Sequence, residues 1–318
     1  MGITLAIIAF AVSLASLIAC VHFFLRSVEH IGITIGVRPF VVGSLIIAFG
    51  TTSPELMISI FAVLNGSPGV PIAQAVGSNI ANILFVLGIA SLFIRRVSAT
   101  MTKQVSKIDL PFIVGSTFLY ILSVWDGVVF FYEGLLLLTA FGVYVGHIFF
   151  SRDNRSYPTT TQKQLGDIVR VPRSVGMFFL TIVGIALASH LVVESLQSIA
   201  HAFSVPEGVI AVTVLAIGTS LPEIVVAVQA ALRNEIELVY GSIVGANIFN
   251  LLVVVGIPAL ITTLYVDFAG FSLLIFVLAG ALLLFVISSL STKVRSWEGI
   301  IFILLYVLLV IQLGGILT

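Results

Sequence analysis

Two short stretches carry the chemistry of this chain. Gly50-Thr51-Thr52-Ser53-Pro54-Glu55 and Gly218-Thr219-Ser220-Leu221-Pro222-Glu223 share one pattern. Each glutamate stands in a long apolar run, where an ionisable side chain is costly and marks a working site. Each follows a proline, whose missing N–H and bulky ring disconnect the carbonyl four residues earlier. Those carbonyls belong to Gly50 and Gly218. One copy therefore sets a carboxylate, a threonine hydroxyl one turn away and a freed backbone oxygen near one point. Hard cations take mixed oxygen sets of this kind. A single proline-kinked membrane helix is ordinary and structural. The same kink with the same glutamate, in corresponding places of two halves, points to a transport site.

A second motif repeats at the same offset of 168 residues. Val76-Gly77-Ser78-Asn79-Ile80-Ala81-Asn82 matches Val244-Gly245-Ala246-Asn247-Ile248-Phe249-Asn250. Ser78 and Asn82 are four apart and share a helix face; Ala246 and Asn250 hold the matching face. Gly77 and Gly245 are expected to let neighbouring backbones approach closely. An asparagine in a membrane helix often does no more than tie two helices together. Beside repeated buried glutamates, Asn82 and Asn250 read as cation ligands, and Asn79 and Asn247, on another face, as helix ties.

The elements that must position these residues are membrane helices. The chain is 59% hydrophobic and 9% charged, with a mean hydropathy of +1.24. A soluble domain cannot hide so much apolar surface. Basic and acidic residues balance at 14 each, which leaves no basis for binding nucleic acid. The single cysteine, Cys20, excludes an intramolecular disulfide and offers no thiolate cluster for zinc. No HExxH or GxSxG pattern supports a membrane protease or hydrolase. The first 25 residues lack a basic leader and read as the first spanning helix.

Hydropathy and its polar breaks predict ten spans: 3–28, 37–64, 70–94, 108–125, 127–150, 173–202, 206–232, 238–263, 267–288 and 297–316. The longest polar interruption, 151–172, is a linker between two five-helix halves, 1–150 and 173–318. With the N-terminus outside, all 14 basic residues fall on one set of connections, Arg26 and Arg38 through to Lys293 and Arg295. The positive-inside rule then makes that set, including 151–172, cytoplasmic and both termini extracytoplasmic. An odd number of spans per half makes the second half enter from the opposite side. The expected fold is an all-α membrane protein of ten transmembrane helices in two inverted repeats. Trp125-Asp126-Gly127 and Trp297-Glu298-Gly299 echo one another near the interfaces, where a tryptophan anchors and a carboxylate stays wet.

On these motifs the chain resembles the calcium/cation antiporter superfamily, in its sodium/calcium exchanger branch. The G-T-x-x-P-E and G-[SA]-N-I-x-N stretches are similar to the family's two α-repeats, and the ten-helix plan covers the whole chain. The resemblance implies an inner-membrane antiporter with cation positions at the membrane centre. Carried over, Glu55 and Glu223 would bind Ca²⁺ with help from Thr51 and Thr219, and Asn82 and Asn250 would complete the central position. The Ala48 carbonyl, Thr52 and Ser78 would serve an inner Na⁺ site, and the Ala216 carbonyl and Ser220 an outer one. Asn250 and Ala246 depart from the Asp and Ser of some archaeal members. The missing hydroxyl at Ala246 bears on the outer Na⁺ site, not on the glutamates.

The charge count agrees: two carboxylates balance one Ca²⁺ or two Na⁺, and an anion would find no basic partner at mid-span. No resident cofactor and no protein partner is expected beyond membrane lipid and the transported ions. Na⁺/Ca²⁺ exchange is the leading expectation. Ca²⁺/H⁺ exchange on the same glutamates, a cation channel and a non-transport scaffold are the alternatives. His22 and His190, in the spans before the two motif helices, read either as proton carriers or as neutral hydrogen-bonding residues. Glu194 reads either as cavity lining or as surface.

Overall fold

Glycines, prolines and polar connections cut the apolar chain into ten helical crossings. The computed structural model describes residues 3–35, 42–94, 110–150, 171–202, 220–266, 268–290 and 296–316. Helix α1 is Ile3–Ile35. Helix α2 opens with a π-helical turn, Val42–Ile47, and continues as Ala48–Leu64. Helix α3 runs Val70–Ile80, passes through a π turn at Ala81–Val86 and ends as Leu87–Phe93. Then come α4 (Leu110–Ser123), β1 (Val128–Val129) and α5 (Phe131–Phe150). The second half holds α6 (Val171–Ala202) and α7, described as Leu221–Leu232. Helix α8 runs Ile236–Phe249, a π turn Asn250–Val254 and Gly256–Ile261. β2 (Leu264–Tyr265), α9 (Phe268–Leu290) and α10 (Ser296–Ile316) complete the order. Seven of these crossings are long and apolar enough to span a membrane alone, and three shorter apolar helices make up the ten.

Burial grades from the centre outward. α3 and α8 are enclosed along most of their length, whereas α1, α5 and α6 keep most of their surface outside the protein. Leu and Phe side chains left exposed on those helices, such as Leu5, Leu135 and Leu180, suit hydrocarbon rather than water. α1 and α6 pack along one another as an antiparallel pair. Phe24 stacks on Phe178 at 5.5 Å, Ser174 meets the His30 ring at 3.3 Å, and Gly184 leaves room for the Cys20 side chain. At 33 residues α1 is about 50 Å long, more than a ~30 Å hydrocarbon layer needs.

The helix ends sort into two sets, as alternate crossings require. At one end three connections meet. β1 pairs antiparallel with β2, Val128 opposite Tyr265 and Val129 opposite Leu264. The Val266 N–H donates to the Gly127 carbonyl at 2.9 Å, and Gly69 lies against the Tyr265 carbonyl. At the other end Ser288 donates to Glu298 at 3.2 Å. There the Arg233 guanidinium, just past α7, also donates to His22 Nδ1 at 3.3 Å. One turn further into α7, Gln229 donates to the Ile18 carbonyl at 3.1 Å, so α1 is tied to α7 twice.

The two Trp-acid-Gly motifs do different work. Gly127 has φ +81, which glycine adopts freely, and Asp126 accepts from the Val128 N–H at 3.0 Å, so the first motif builds the turn into β1. Gly299 instead lets α10 approach Ser91 and the Gly88 carbonyl of α3. Both tryptophans are exposed, as interfacial anchors are.

Candidate functional site

Glu55 lies two turns into the described α-helical part of α2, just after Pro54. The predicted free carbonyl at Gly50 is not wholly free: Ser53 folds back and donates to it at 3.0 Å. A carbonyl has a second lone pair, so this contact still leaves acceptor capacity. Glu223 stands at the start of α7, with Pro222 in the first turn, where the missing N–H costs nothing. Gly218, Thr219 and Ala216 lie outside the described residues.

Both carboxylates are buried, Glu55 at 2% and Glu223 at 6% exposure. They come from opposite repeats and lie close enough to feel each other's charge. Thr51 bridges the repeats: its hydroxyl is directed at the carbonyls of Ile47 (3.3 Å) and Ala48 (3.4 Å) and also stands beside the Glu223 carboxylate. Thr52 donates to the Ala48 carbonyl at 2.6 Å, which brings two of the residues expected at the inner Na⁺ position together. Ser78, Asn82, Ser220 and Asn250 are all buried.

Among the described residues, six oxygens of this group have no hydrogen-bond partner: Glu55 Oε2, both Glu223 carboxylate oxygens, Asn82 Oδ1, Asn250 Oδ1 and Ser220 Oγ. Buried polar atoms are almost always paired. A concentration of unpaired acceptors on α2, α3, α7 and α8 suits a hard cation, which supplies the missing positive charge. Among the described residues no cluster of three or more His, Cys, Asp or Glu exists, so the donor set is one of carboxylates and neutral oxygens. Such a set fits Ca²⁺ or Na⁺ better than a transition metal.

The π turns are what sequence reading missed. Asn82 is the second residue of one and Asn250 the first of the other, at the same place in each repeat. A π turn widens the helix and shifts side chains that follow, and it recurs at functional sites. Of the two motif glycines, Gly245 serves close approach: a Cβ there would run into the Ser44 backbone of α2. Around Gly77, none of the described residues lies within 4 Å of where a Cβ would be. The residue matching Ser44 is Val212, outside the described residues. Asn79 ties α3 to α8, donating to the Asn247 carbonyl at 3.2 Å, whereas Asn247 turns to Ile243 of its own helix at 2.8 Å. Asn79 and Asn247 are repeat equivalents, so the relating axis passes close to them.

The remaining candidates stand elsewhere. His22 accepts from Arg233, and His190 is exposed on α6. Glu194 is exposed and lines a groove of about 460 Å³ between α1 and α6 with Ser13, Ser16, Ser195 and Ser198.

Comparison with known proteins agrees with this architecture. The profile of the family described as "Sodium/calcium exchanger protein" matches residues 5–150 and 173–314. Inner membrane protein YrbG of Escherichia coli is 30% identical over 249 residues, 75% of this chain and 74% of that one. Sodium/calcium exchanger MaX1 of Methanosarcina acetivorans is 26% identical over 339 residues, covering 92% and 93%. Among solved structures, the sodium-calcium exchanger NCX_Mj soaked with 10 mM Na⁺ and zero Ca²⁺ superposes with a TM-score of 0.79 at 26% identity. That match covers 96% of this chain and 98% of the other. The chain belongs to the sodium/calcium exchanger family: it is a membrane cation antiporter of ten helices in two inverted repeats.

Proposed function

We propose that the protein moves Ca²⁺ across the cytoplasmic membrane in exchange for Na⁺, by alternating access to one central site. The observation that carries this reading is the convergence of Glu55 and Glu223, from opposite repeats, among oxygens without partners among the described residues. Two carboxylates neutralise one Ca²⁺ or two Na⁺, and Asn82 and Asn250 add neutral oxygens without further charge. Thr51 and Thr219 complete the Ca²⁺ position. The Ala48 carbonyl, Thr52 and Ser78 hold an inner Na⁺, and the Ala216 carbonyl and Ser220 an outer one. Ions that share the same glutamates compete for them, and this makes the cycle an exchange rather than a leak. Both termini face outward, the linker 151–172 is cytoplasmic, and the ions are cargo rather than resident cofactors.

A three-to-one Na⁺/Ca²⁺ cycle moves one net charge, so a membrane potential biases it by about 2.3 kcal/mol per 100 mV. The test is ⁴⁵Ca²⁺ uptake into proteoliposomes under an imposed Na⁺ or pH gradient, with valinomycin and K⁺ setting the voltage. Na⁺-driven, voltage-sensitive uptake is expected. Uptake indifferent to Na⁺ but driven by pH would establish proton exchange on the same glutamates instead.

A further inference from the structure

α1 and α6 form an antiparallel pair with most of its surface outside the protein. Where α7 ends, two hydrogen bonds hold α1 to it: Arg233 donates to His22 Nδ1 at 3.3 Å, and Gln229 to the Ile18 carbonyl at 3.1 Å. In inverted repeats each contact at one face has a counterpart at the other. The 168-residue offset maps His22 to His190, Ile18 to Ala186, Gln229 to Phe61 and Arg233 to Asn65. The counterpart therefore lies between α6 and the end of α2, and among the described residues no hydrogen bond joins His190 to Asn65. Both are exposed, and Asn65 donates to the Phe61 carbonyl of its own helix at 2.9 Å.

The two ends also differ in chemistry. A guanidinium has donors only, so Arg233 needs the Nδ1 lone pair of a neutral imidazole. A proton on His22 removes that acceptor and sets two cations side by side. Asn65 is neutral and has a carbonyl oxygen, so a proton on His190 meets no such repulsion. Histidine is the side chain that gains this charge between about pH 8 and about pH 5. Around His22, residues 174–189 of α6 and the π turn 42–47 of α2 hold no ionisable side chain. α7 brings Arg233, with Glu235 and Glu237 just beyond it, and α1 itself carries Arg26 one turn on. His22 and Arg233 are both half-buried, within reach of water.

We infer that the His22–Arg233 contact is a proton-released latch. Neutral His22 holds α1 shut against α7 at this end, cytoplasmic in the reading above, and a proton on His22 frees it. The opposite end has no cationic partner, so the switch acts on one face only. Its place in transport rests on the alternating-access reading above.

The test reads the distance between spin labels at Ile18→Cys and Leu232→Cys, both exposed side chains, with Cys20→Ser, in lipid nanodiscs. With His22 present, lowering the pH from about 8 to about 5.5 is expected to shift the distance from short to longer. His22→Gln offers a neutral acceptor that does not titrate and keeps every other ionisable group, Glu55 and Glu223 included; it should hold the short distance at both pH values. His22→Lys should show the longer one at both, and His190→Gln should respond to pH like the parent. A distance indifferent to pH with His22 present, or a response that persists in His22→Gln, overturns the latch. Loss of the response in His190→Gln overturns its restriction to one face. A His22-dependent response in protein that moves no Ca²⁺ under a Na⁺ or pH gradient leaves the latch standing and overturns the exchange reading.

Discussion

At the scale of single residues, the proposed site rests on the charges of Glu55 and Glu223, and among the described residues no third acidic side chain joins them in a cluster. Glu55→Gln and Glu223→Gln keep shape and lose one of them. Leaving a buried charge unmatched costs about 3–5 kcal/mol, so Ca²⁺ flux at fixed Ca²⁺ should fall by roughly two to three orders of magnitude. Each variant should still insert, as judged by expression and monodispersity. Near-normal flux in either one would remove the glutamates from the site. Ala246, buried at the position matching Ser78, has no hydroxyl to offer. Ala246→Ser is expected to strengthen apparent Na⁺ affinity several-fold, measured as half-saturation of Na⁺-driven uptake; an unchanged value would mean that this position faces no ion. The glutamates, asparagines and threonines were legible in the sequence because they recur at one offset. Ser53 capping the Gly50 carbonyl was not, because a serine next to a proline carries no signal of where its hydroxyl points. Nor was the Ser59–Gln74 hydrogen bond between α2 and α3, since it depends on the register between two helices rather than on any local pattern.

At the scale of helices, spacing arguments assumed an α-helical period, which α3 keeps to Ile80 and α8 to Phe249. Beyond them the π turns alter the phase, and only tertiary packing reveals that. Gly245 shows how tightly the central helices fit. Its neighbour is the Ser44 backbone, which unlike a side chain has no rotamer to move into. Gly245→Ala should destabilise the protein by about 1–3 kcal/mol through overpacking. Gly142 of α5, with no described atom within 4 Å of its missing Cβ, is the control. Gly142→Ala should be neutral or stabilising, since alanine is the better helix former by about 1 kcal/mol. Thermal unfolding in detergent, followed by loss of the monodisperse peak, compares the two. Equal melting points would show that α2 can withdraw from α8 at little cost.

At the scale of the molecule, ten crossings and their inversion could be read from hydropathy, one repeat offset and the one-sided placement of basic residues. With both termini outside, as proposed from that placement, a C-terminal reporter that works only outside the cytoplasm should be active; activity of a cytoplasm-only reporter would reverse the topology. The β1–β2 pair could not be foreseen, because two residues on each side are too few to show any period. Its position has a mechanical consequence. It fastens the turn between α4 and α5 to the turn between α8 and α9, like a rivet joining one repeat to the other. Two halves pinned there cannot rock apart as separate blocks; whatever moves during exchange must swing around the pin. Antiparallel partners lie about 4.5–5.5 Å apart at Cα, within reach of a disulfide. Val128→Cys with Tyr265→Cys can therefore be locked by oxidation, and Cys20 is the only native thiol to account for. Transport should continue at the reduced rate or close to it; arrest that reductant reverses would mean that the pin itself opens in every cycle.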